Sequence, residues 1–361
     1  MKKDPTASQK ILAIDIGQGT QDILLYDPTK NIENCISLIL PSPTALYGRI
    51  IERCSQDLFI HGSTIGGGRL TGALKNHLKK GYRVFMEAEA AASVRDNLDS
   101  VRQLGITIGQ PSGDFNGARL LIKEVDIARL KDFLAHFAED MDVAAVAIAV
   151  QDHGVSAEGK SDREFRFDVI AQRLQDNSAP ESLACWAEEV PPFFTRMTSL
   201  VKSLRKEFSG PVLLMDTAFC AVLGCTEDYQ SPSLIVNVGN DHTLCVLMKG
   251  GKIEGLLEHH TGMLTSEKLR GLVTRFSRRD ITCREVYEDG GHGALYMSNK
   301  PLAYEQIIVT GPNREKMRLT GLPVVFAAPG GNMMLTGPLG LVSAYQLKSA
   351  QCCSSGSCCT S

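Results

Sequence analysis

The sequence contains the same short arrangement twice: an apolar run, a polar turn with glycine, and a second apolar run. The first copy is ILAIDIGQGTQDILLYD at residues 11–27, and the second is LIVNVGNDHTLCVLMKG at residues 234–250. Each copy is typical of two β-strands joined by a tight turn. A chain that builds this hairpin in both halves is constrained to two similar units, whose turns we expect to face each other.

The residues of these turns predict a site for phosphate and a metal ion. Glycine lets a ligand approach backbone N–H groups closely, and a carboxylate at a strand end offers the oxygen ligands that Mg²⁺ prefers. The alternative is an ordinary hairpin that tolerates a polar strand end. The residues concerned are Asp15, Gly17, Gly19, Thr20, Gly239 and Thr243.

Both halves continue on one plan, in which three strands precede alternating helices and strands. A chain of 361 residues exceeds what one hydrophobic core usually supports. We therefore expect a first lobe over residues 1–229 and a second over residues 230–349. The run VAAVAIAV at residues 143–150 indicates a strand covered on both faces. Residues 155–192 are polar and irregular, and we expect an insertion or a surface connection there.

The charge balance and the apolar runs argue against several classes of partner. The chain has 38 Lys and Arg residues against 41 Asp and Glu residues, a net charge of -3. It therefore offers no long-range attraction for nucleic acid or for anionic membranes. No stretch approaches about eighteen consecutive apolar residues, and Asp15 interrupts the N-terminal apolar run. We expect a cytoplasmic protein.

The cysteines fall into two groups. Seven are scattered through the chain, and the other four lie in the C-terminal segment AQCCSSGSCCTS as Cys352, Cys353, Cys358 and Cys359. The small polar residues around them cannot build a core, so we expect a flexible tail over residues 350–361. This tail is either a solvated terminus or a thiolate cluster that captures a soft ion such as Zn²⁺ or Cu⁺.

In their order along residues 10–347, the motifs resemble those of the actin, Hsp70 and sugar or acetate kinase ATPase superfamily. The two hairpins look like its phosphate motifs, and GPVLLMDTAFCAVLGC looks like its connecting motif. IIVTGPN and PGGNMMLTGPLGLVSAY resemble its adenosine motif and closing glycine-rich turn. The resemblance implies an α/β fold of two ribonuclease H-like lobes. Each lobe would have a mixed five-stranded sheet with flanking helices, and an interlobe cleft would bind ATP and Mg²⁺.

The resemblance also implies roles for single residues. Asp15 would organise Mg²⁺, mostly through water, and Asp216 in the connecting motif would orient the attacking water or the same metal. The phosphates would lie against Gly17, Gly19, Thr20, Gly239 and Thr243. The nucleoside end would be lined by Gly311, Gly330 and Gly331.

The chain departs from the superfamily pattern at two positions. Gly19 stands where the first motif commonly has Thr or Ser, so the hydroxyl would come from Thr20. Asn237 stands where the second motif begins with Asp, and an amide brings no negative charge to a metal. Asp241 either restores a carboxylate or is a solvated turn residue.

Within the superfamily, the chain is similar to a family that carries the label of pyruvate formate-lyase activating enzymes. A radical activase of that type needs three thiolates spaced C-x3-C-x2-C to hold its [4Fe–4S] cluster. No trio of cysteines in this sequence has that spacing. We therefore do not expect radical activase chemistry.

Several further residues have two interpretations. Asp152 follows a buried strand, where it is either a general base or the first residue of an Asx-type turn. Gly66, Gly67 and Gly68 precede a helix, where they either offer N–H groups to an anionic substrate or form a loop. His259, His260 and His292 lack regular ligand spacing, and we expect them at the surface.

The predicted site fits two enzymatic functions and one binding function. The first is an ATPase whose domain closure acts on a partner enzyme. The second is a small-molecule kinase, in which Asp152 would accept the proton of an acceptor hydroxyl. The third is a nucleotide sensor without turnover, which the amide at Asn237 suggests. We expect the ATPase.

Overall fold

The computed structural model describes residues 9–156, 160–225, 230–298, 300 and 302–354. In chain order, its strands are β1 (Ile11–Ile16), β2 (Thr20–Tyr26), β3 (Ile36–Pro41), β4 (Leu58–Gly62), β5 (Val84–Met86), β6 (Thr107–Ile108), β7 (Ala118–Ile122), β8 (Ala145–Val150), β9 (Cys185–Trp186), β10 (Val212–Met215), β11 (Ser233–Val238), β12 (His242–Lys249), β13 (Lys252–His260), β14 (Gly293–Tyr296), β15 (Gln306–Thr310) and β16 (Val324–Phe326).

The α-helices, again in chain order, are α1 (Pro43–Arg53), α2 (Gly68–Lys79), α3 (Ala88–Ala91), α4 (Leu98–Gln103), α5 (Ile127–Ala135), α6 (Asp162–Asp176), α7 (Thr195–Leu204), α8 (Thr217–Leu223), α9 (Ser266–Ser277), α10 (Cys283–Glu288), α11 (Glu315–Arg318) and α12 (Thr336–Ser354). Among these described helices, none has the length and apolar character that crossing a lipid bilayer requires.

The first sheet has the strand order β3-β2-β1-β8-β10-β9. Strands β1, β2 and β3 are antiparallel neighbours, as the short polar turns between apolar runs predict. Strand β8 runs parallel to β1, and β10 runs parallel to β8. Every residue of β8 is buried, as expected for a parallel strand that is covered on both faces.

The second sheet repeats this plan with the order β14-β13-β12-β11-β15-β16. Strands β11, β12 and β13 are antiparallel, and β15 and β16 follow in parallel. The predicted α/β fold with two mixed sheets is confirmed. Each sheet has six strands instead of five, because β9 and β14 add an antiparallel edge. Strand β9 has only two residues, too few to give an alternating pattern.

A third sheet lies within the first half of the chain, and no sequence pattern predicted it as a unit. Its four strands are parallel and have the order β6-β5-β4-β7. They form a separate hydrophobic core with α1, α2 and α4, which includes Ile60, Leu74 and Val101. Strand β6 has two residues and only one of the five residues of β7 is buried, so their sequences lack a buried-strand pattern.

Helices α8 and α12 pack against each other and connect the two large sheets. The core around them includes Ala13 of the first sheet and Ile235 of the second. At the helix crossing, a Cβ atom on Gly224 would overlap the carbonyl oxygen of Thr336, and one on Gly340 would overlap that of Cys220. The two glycines therefore let the helix backbones touch.

Residues 160–192 are not irregular, contrary to the prediction from the sequence, whereas their status as an insertion in the first lobe stays a prediction. They contain α6, whose apolar side chains Phe167, Ile170 and Leu174 are buried. The side chain of Arg166 on the same helix is also buried, at 3% exposure. Charged residues separate the apolar positions of this helix, so its hydrophobic stripe is hidden in the sequence.

The cysteine-rich end of the chain begins as a helix, because α12 continues to Ser354. Cys358, Cys359 and the side chain of Cys353 lie outside the described residues. The thiolate cluster and the solvated terminus therefore both stay predictions.

Candidate functional site

The two hairpin turns have the same backbone hydrogen bond. Between β1 and β2, Gly17 N donates to Thr20 O at 2.9 Å, and between β11 and β12, Gly239 N donates to His242 O at 2.9 Å. The turns also meet in space, since a Cβ atom on Gly19 would lie 3.3 Å from the side-chain nitrogen of Asn240. Two equivalent turns from the two large sheets therefore face each other.

A cleft of about 700 Å³ lies between these turns. Its lining brings together most of the residues that the two phosphate motifs and the adenosine motif predicted. The glycines of the Gly66–Gly68 loop also line it, although Gly66 N already donates to a carboxylate oxygen of Glu124 at 3.0 Å. The predicted residues that line the cleft are Asp15, Gly17, Thr20, Asp152, Gly239 and Gly311, together with Asn237 and Asp241.

Asp15 and Asp22 place two carboxyl groups on one side of the cleft. They are directly opposite each other in the β1–β2 ladder. The Oδ1 atom of each is buried and makes no hydrogen bond within the described residues. Burial, with Asp22 nearby, raises the pKa of Asp15 to about 8, and burial raises the pKa of Asp22 to about 7. A cation between the hairpins would relieve this unfavourable arrangement.

Gly337, the second residue of α12, lies directly against the Asp15 carboxylate. A Cβ atom on Gly337 would overlap Asp15 Oδ2, so a side chain at this position and the carboxylate exclude each other. Gly311 is restricted in a second way, because its φ of +96° is in the left-handed region and its Cβ would lie 2.7 Å from Asn237 Oδ1. Glycine at both positions keeps the cleft open.

Asp152 lies at the cleft, but backbone groups engage both of its oxygens. Its Oδ1 accepts a hydrogen bond from Gly154 N, and its Oδ2 accepts one from Met197 N, each at 2.9 Å. The bond to the residue two positions ahead is that of an Asx-type turn. Burial raises the pKa of this carboxyl group. The sequence allows Asp152 to be either a general base or the first residue of an Asx-type turn, and the hydrogen bonds directly support the turn.

Asp216 is paired with an arginine that no sequence pattern indicated. Its Oδ2 accepts a hydrogen bond from Arg166 Nη1 at 2.7 Å, and its Oδ1 accepts one from Ala218 N at the start of α8. Arg166 also donates two hydrogen bonds to Glu258, from Nε to Oε2 at 3.2 Å and from Nη2 to Oε1 at 3.1 Å. Each oxygen of Asp216 therefore already accepts one hydrogen bond, and its role in orienting water or the metal stays a prediction.

Five predicted residues lie outside the cleft lining, and Asp216 is one of them. Thr243 is fully buried, and its hydroxyl exchanges a hydrogen bond with Thr261 at 2.9 Å, so it cannot contact phosphate. Gly330 and Gly331 form a turn that packs near Ile32 and do not line the nucleoside end. Gly19 is not part of the lining but adjoins the second turn at Asn240. Met333, Met334 and Thr336 line the cleft instead.

Four histidines form a cluster beside the second hairpin, where the sequence predicted surface residues for two of them. His242 and His260 are cross-strand partners, and their rings also adjoin that of His292. His153 reaches the same place from the end of β8. Burial lowers the pKa of His153 and of His292 to about 3, so both are neutral at physiological pH.

The expectation of surface histidines is wrong for His259 and His292, whereas His260 is half-buried. His259 has no exposed side-chain area, and its Nε2 lies 3.1 Å from Asp289 Oδ2. His292 is 1% exposed. These residues are far apart in the sequence, and only the pairing of β12, β13 and β14 brings them together. No ligand spacing along the chain could have identified the cluster.

The duplicated sheet plan and the cleft between equivalent hairpins define a two-lobed α/β protein. The family profile described as "Putative pyruvate format-lyase activating enzyme (DUF1786)" matches residues 65–316, which is more than half of the chain. The chain belongs to this family. No functionally curated protein matches the sequence.

Several solved structures match nearly the whole chain, among them the following three. The inorganic polyphosphate/ATP-glucomannokinase from Arthrobacter sp. strain KM is 12% identical with a TM-score of 0.38, over 95% of this chain and 100% of that one. The activator of 2-hydroxyisocaproyl-CoA dehydratase from Clostridium difficile, with bound ADPNP, is 7% identical with a TM-score of 0.35, over 95% and 97%. A Bacteroides thetaiotaomicron protein with an actin-like ATPase fold is 10% identical with a TM-score of 0.36, over 94% and 98%. Similarity at this level does not transfer an activity.

Proposed function

We propose that this protein binds Mg·ATP between its two hairpin turns and hydrolyses it as an ATPase that acts on a partner enzyme. The single observation that carries the proposal is the pair of matched turns at Gly17 and Gly239, which face each other across one cleft that also contains Asp15. Backbone turns that converge in this way can bind the oxygens of one polyphosphate from both sides.

The residues around Asp15 fit a magnesium ion. The buried Oδ1 of Asp15 lacks a hydrogen-bond partner among the described residues, and a glycine at position 337 leaves room for the carboxylate. Asp15 and Asp22 would hold Mg²⁺, directly or through water, as a hard oxygen-ligand site. The ion would supply neutralisation of charge on the phosphate oxygens.

The turns themselves would bind the phosphates. Gly17 N and Gly239 N already donate hydrogen bonds within their own turns. The contacts with phosphate would therefore come from residues 18–20 and 240–241. Asn313 supports the second turn, because its side-chain nitrogen donates to Gly239 O at 3.0 Å. Gly311, at the end of β15, would lie beside the nucleoside.

The environment of Asp152 favours hydrolysis over transfer to a small molecule. A kinase needs a free base near the acceptor hydroxyl, and both oxygens of Asp152 accept backbone hydrogen bonds. A small-molecule kinase is still the second candidate function, because the cleft extends to polar residues before and within α4. These are Ser93, Arg95, Asp96, Asn97 and Ser100, which would contact an acceptor.

Calorimetric titration with ATP in the presence and absence of Mg²⁺ tests the nucleotide site. We expect binding that requires Mg²⁺ and that Asp15→Asn weakens by about tenfold or more, which corresponds to about 1.4 kcal/mol. Asp132→Asn, which removes an exposed carboxylate on α5, should bind as the wild type does. Equal affinities in all three proteins, or no binding to the wild type, would contradict the proposal.

Phosphate release and product analysis then separate the functions. Slow release of inorganic phosphate that a partner protein accelerates supports the ATPase, and phosphate on a metabolite supports the kinase. Nucleotide binding without any turnover supports the nucleotide sensor. The feature that favours a sensor is the amide of Asn237, which stands in place of a carboxylate.

A further inference from the structure

The histidine cluster contains three rings that converge on one point. Suitable ligand atoms of His153, His242 and His292 all lie within 4.8 Å of one another. They come from the end of β8, the start of β12 and the residue before β14. Neutral imidazoles from three separate segments pack no better than apolar side chains would. Packing alone therefore does not explain the cluster, and a bound ligand would.

Ring nitrogens in this cluster have no hydrogen-bond partner within the described residues. They are Nε2 of His242 and both Nδ1 and Nε2 of His292. Leaving a buried polar atom unsatisfied typically costs about 1–3 kcal/mol. A bound ion would recover this cost, since an imidazole nitrogen offers a lone pair to a metal.

The charges next to the cluster favour a cation. Glu258 Oε2 lies 3.5 Å from His292 Nδ1, and the Glu258 side chain is only 1% exposed. The positive charge of Arg166 is shared between Glu258 and Asp216, so this group of three carries one net negative charge. A carboxylate this close to His292 favours a positive charge bound to the ring.

We propose that His153, His242 and His292 bind a divalent transition metal ion of the Zn²⁺ class at the side of the cleft that His153 and His242 line. Imidazole nitrogens suit Zn²⁺ and similar ions, whereas Mg²⁺ prefers the oxygen ligands at Asp15. Three histidines leave a coordination position open, as in catalytic zinc sites. His153 and His242 line the cleft, so a molecule in the cleft reaches that position. The site does not depend on nucleotide binding.

The test uses the full chain with Cys352, Cys353, Cys358 and Cys359 replaced by Ser, because the tail thiols would also capture Zn²⁺. The protein is freed of metal with a chelator and titrated with Zn²⁺ against a chromophoric competitor, without nucleotide. We expect one Zn²⁺ per chain with a Kd below about 1 μM, unaffected by millimolar Mg²⁺. Co²⁺ in the same protein should give the visible absorption of a four- or five-coordinate site without a thiolate charge-transfer band.

His153→Gln and His242→Gln should each weaken Zn²⁺ binding by about 100-fold or more, while circular dichroism confirms that they fold. His136→Gln is the matched control, because His136 is exposed at the end of α5 and away from the cluster. It should bind Zn²⁺ as the parent does. Absence of Zn²⁺ binding by the parent, or unchanged affinity in both cluster variants, would overturn the proposal. Neither result depends on whether ATP binds.

Discussion

Asp15 and Asp22 stand directly opposite each other on β1 and β2, and each has one buried carboxylate oxygen with no hydrogen-bond partner in the part of the chain that the structure describes. Neighbouring buried carboxylates destabilise a folded protein when both are ionised. This pair is therefore retained at a cost to stability in the absence of a cation. Because the pair lines the cleft, a cation bound there would reduce this cost.

The first prediction concerns the pH dependence of stability in a chelator-containing, magnesium-free buffer. Asp22 has a pKa of about 7 in the folded protein against an ordinary value of 3.8. A raised carboxyl pKa gives stability that is full below about pH 4 and is lost as the pH rises through about 7. We expect Asp22→Asn to be more stable than the wild type at pH 8 by about 1–2 kcal/mol, and equally stable at pH 4.

Urea unfolding at both pH values measures this difference. Asp132→Asn, on the exposed side of α5, should show no pH-dependent difference from the wild type. A gain for Asp22→Asn that is the same at pH 4 and pH 8 would show that the carboxylate charge is not its cause.

The second prediction concerns Gly337, whose Cβ would overlap Asp15 Oδ2. Gly337→Ala should displace the carboxylate, weaken Mg-dependent ATP binding by about tenfold or more and lower the free energy of unfolding by about 1–3 kcal/mol. Gly271→Ala in α9 is the control, since its Cβ would meet nothing within 4 Å. That variant should be slightly more stable and should bind as the wild type does. Normal binding by Gly337→Ala would remove Asp15 from the metal site.

The third prediction concerns the crossing of α8 and α12. Gly340→Ala places a methyl group against the carbonyl oxygen of Cys220, so the two helices must separate. We expect destabilisation of about 1–3 kcal/mol or more by thermal or urea unfolding. Gly72→Ala, an exposed helical position with free space around its Cβ, should instead leave stability equal or increased. Equal effects of the two substitutions would contradict the close helix contact.

The fourth prediction concerns Arg166, which is shared by Asp216 and Glu258. Arg166→Met leaves two buried carboxylates without their partner and should destabilise the protein by about 3–5 kcal/mol. Adding Asp216→Asn removes one of those charges, so the double variant should lose less stability than the sum of the single variants. Additive losses would mean that the two side chains do not interact.

The sequence predicted the parts of the fold that have strong local patterns. The hairpin at Gly17 and the buried run of β8 combine apolar strands with glycine turns, and the structure has both. The second hairpin at Gly239 is identified in the same way. Helix α6 and the third sheet lack such patterns. Charged residues interrupt the apolar positions of α6. In the third sheet, β6 has only two residues and β7 is partly exposed.

The candidate site could be predicted only where a motif is continuous in the sequence. Asp15 and Gly311 lie in the cleft because each ends a strand beside a turn. Thr243 has the right spacing but is one residue into β12, where it faces the core. The contacts of Arg166 and His292 depend on elements that are distant in the sequence, so no local pattern could reveal them.

Hydrogen–deuterium exchange with and without Mg²⁺ and a non-hydrolysable ATP analogue tests the convergence of the two hairpins most directly. We predict that the ligand slows exchange together at residues 16–20 and 238–243, and that Asp15→Asn reduces the protection in both segments at the same subsaturating ligand concentration. Protection of only one hairpin, or of neither while the analogue binds, would contradict a nucleotide site between Gly17 and Gly239.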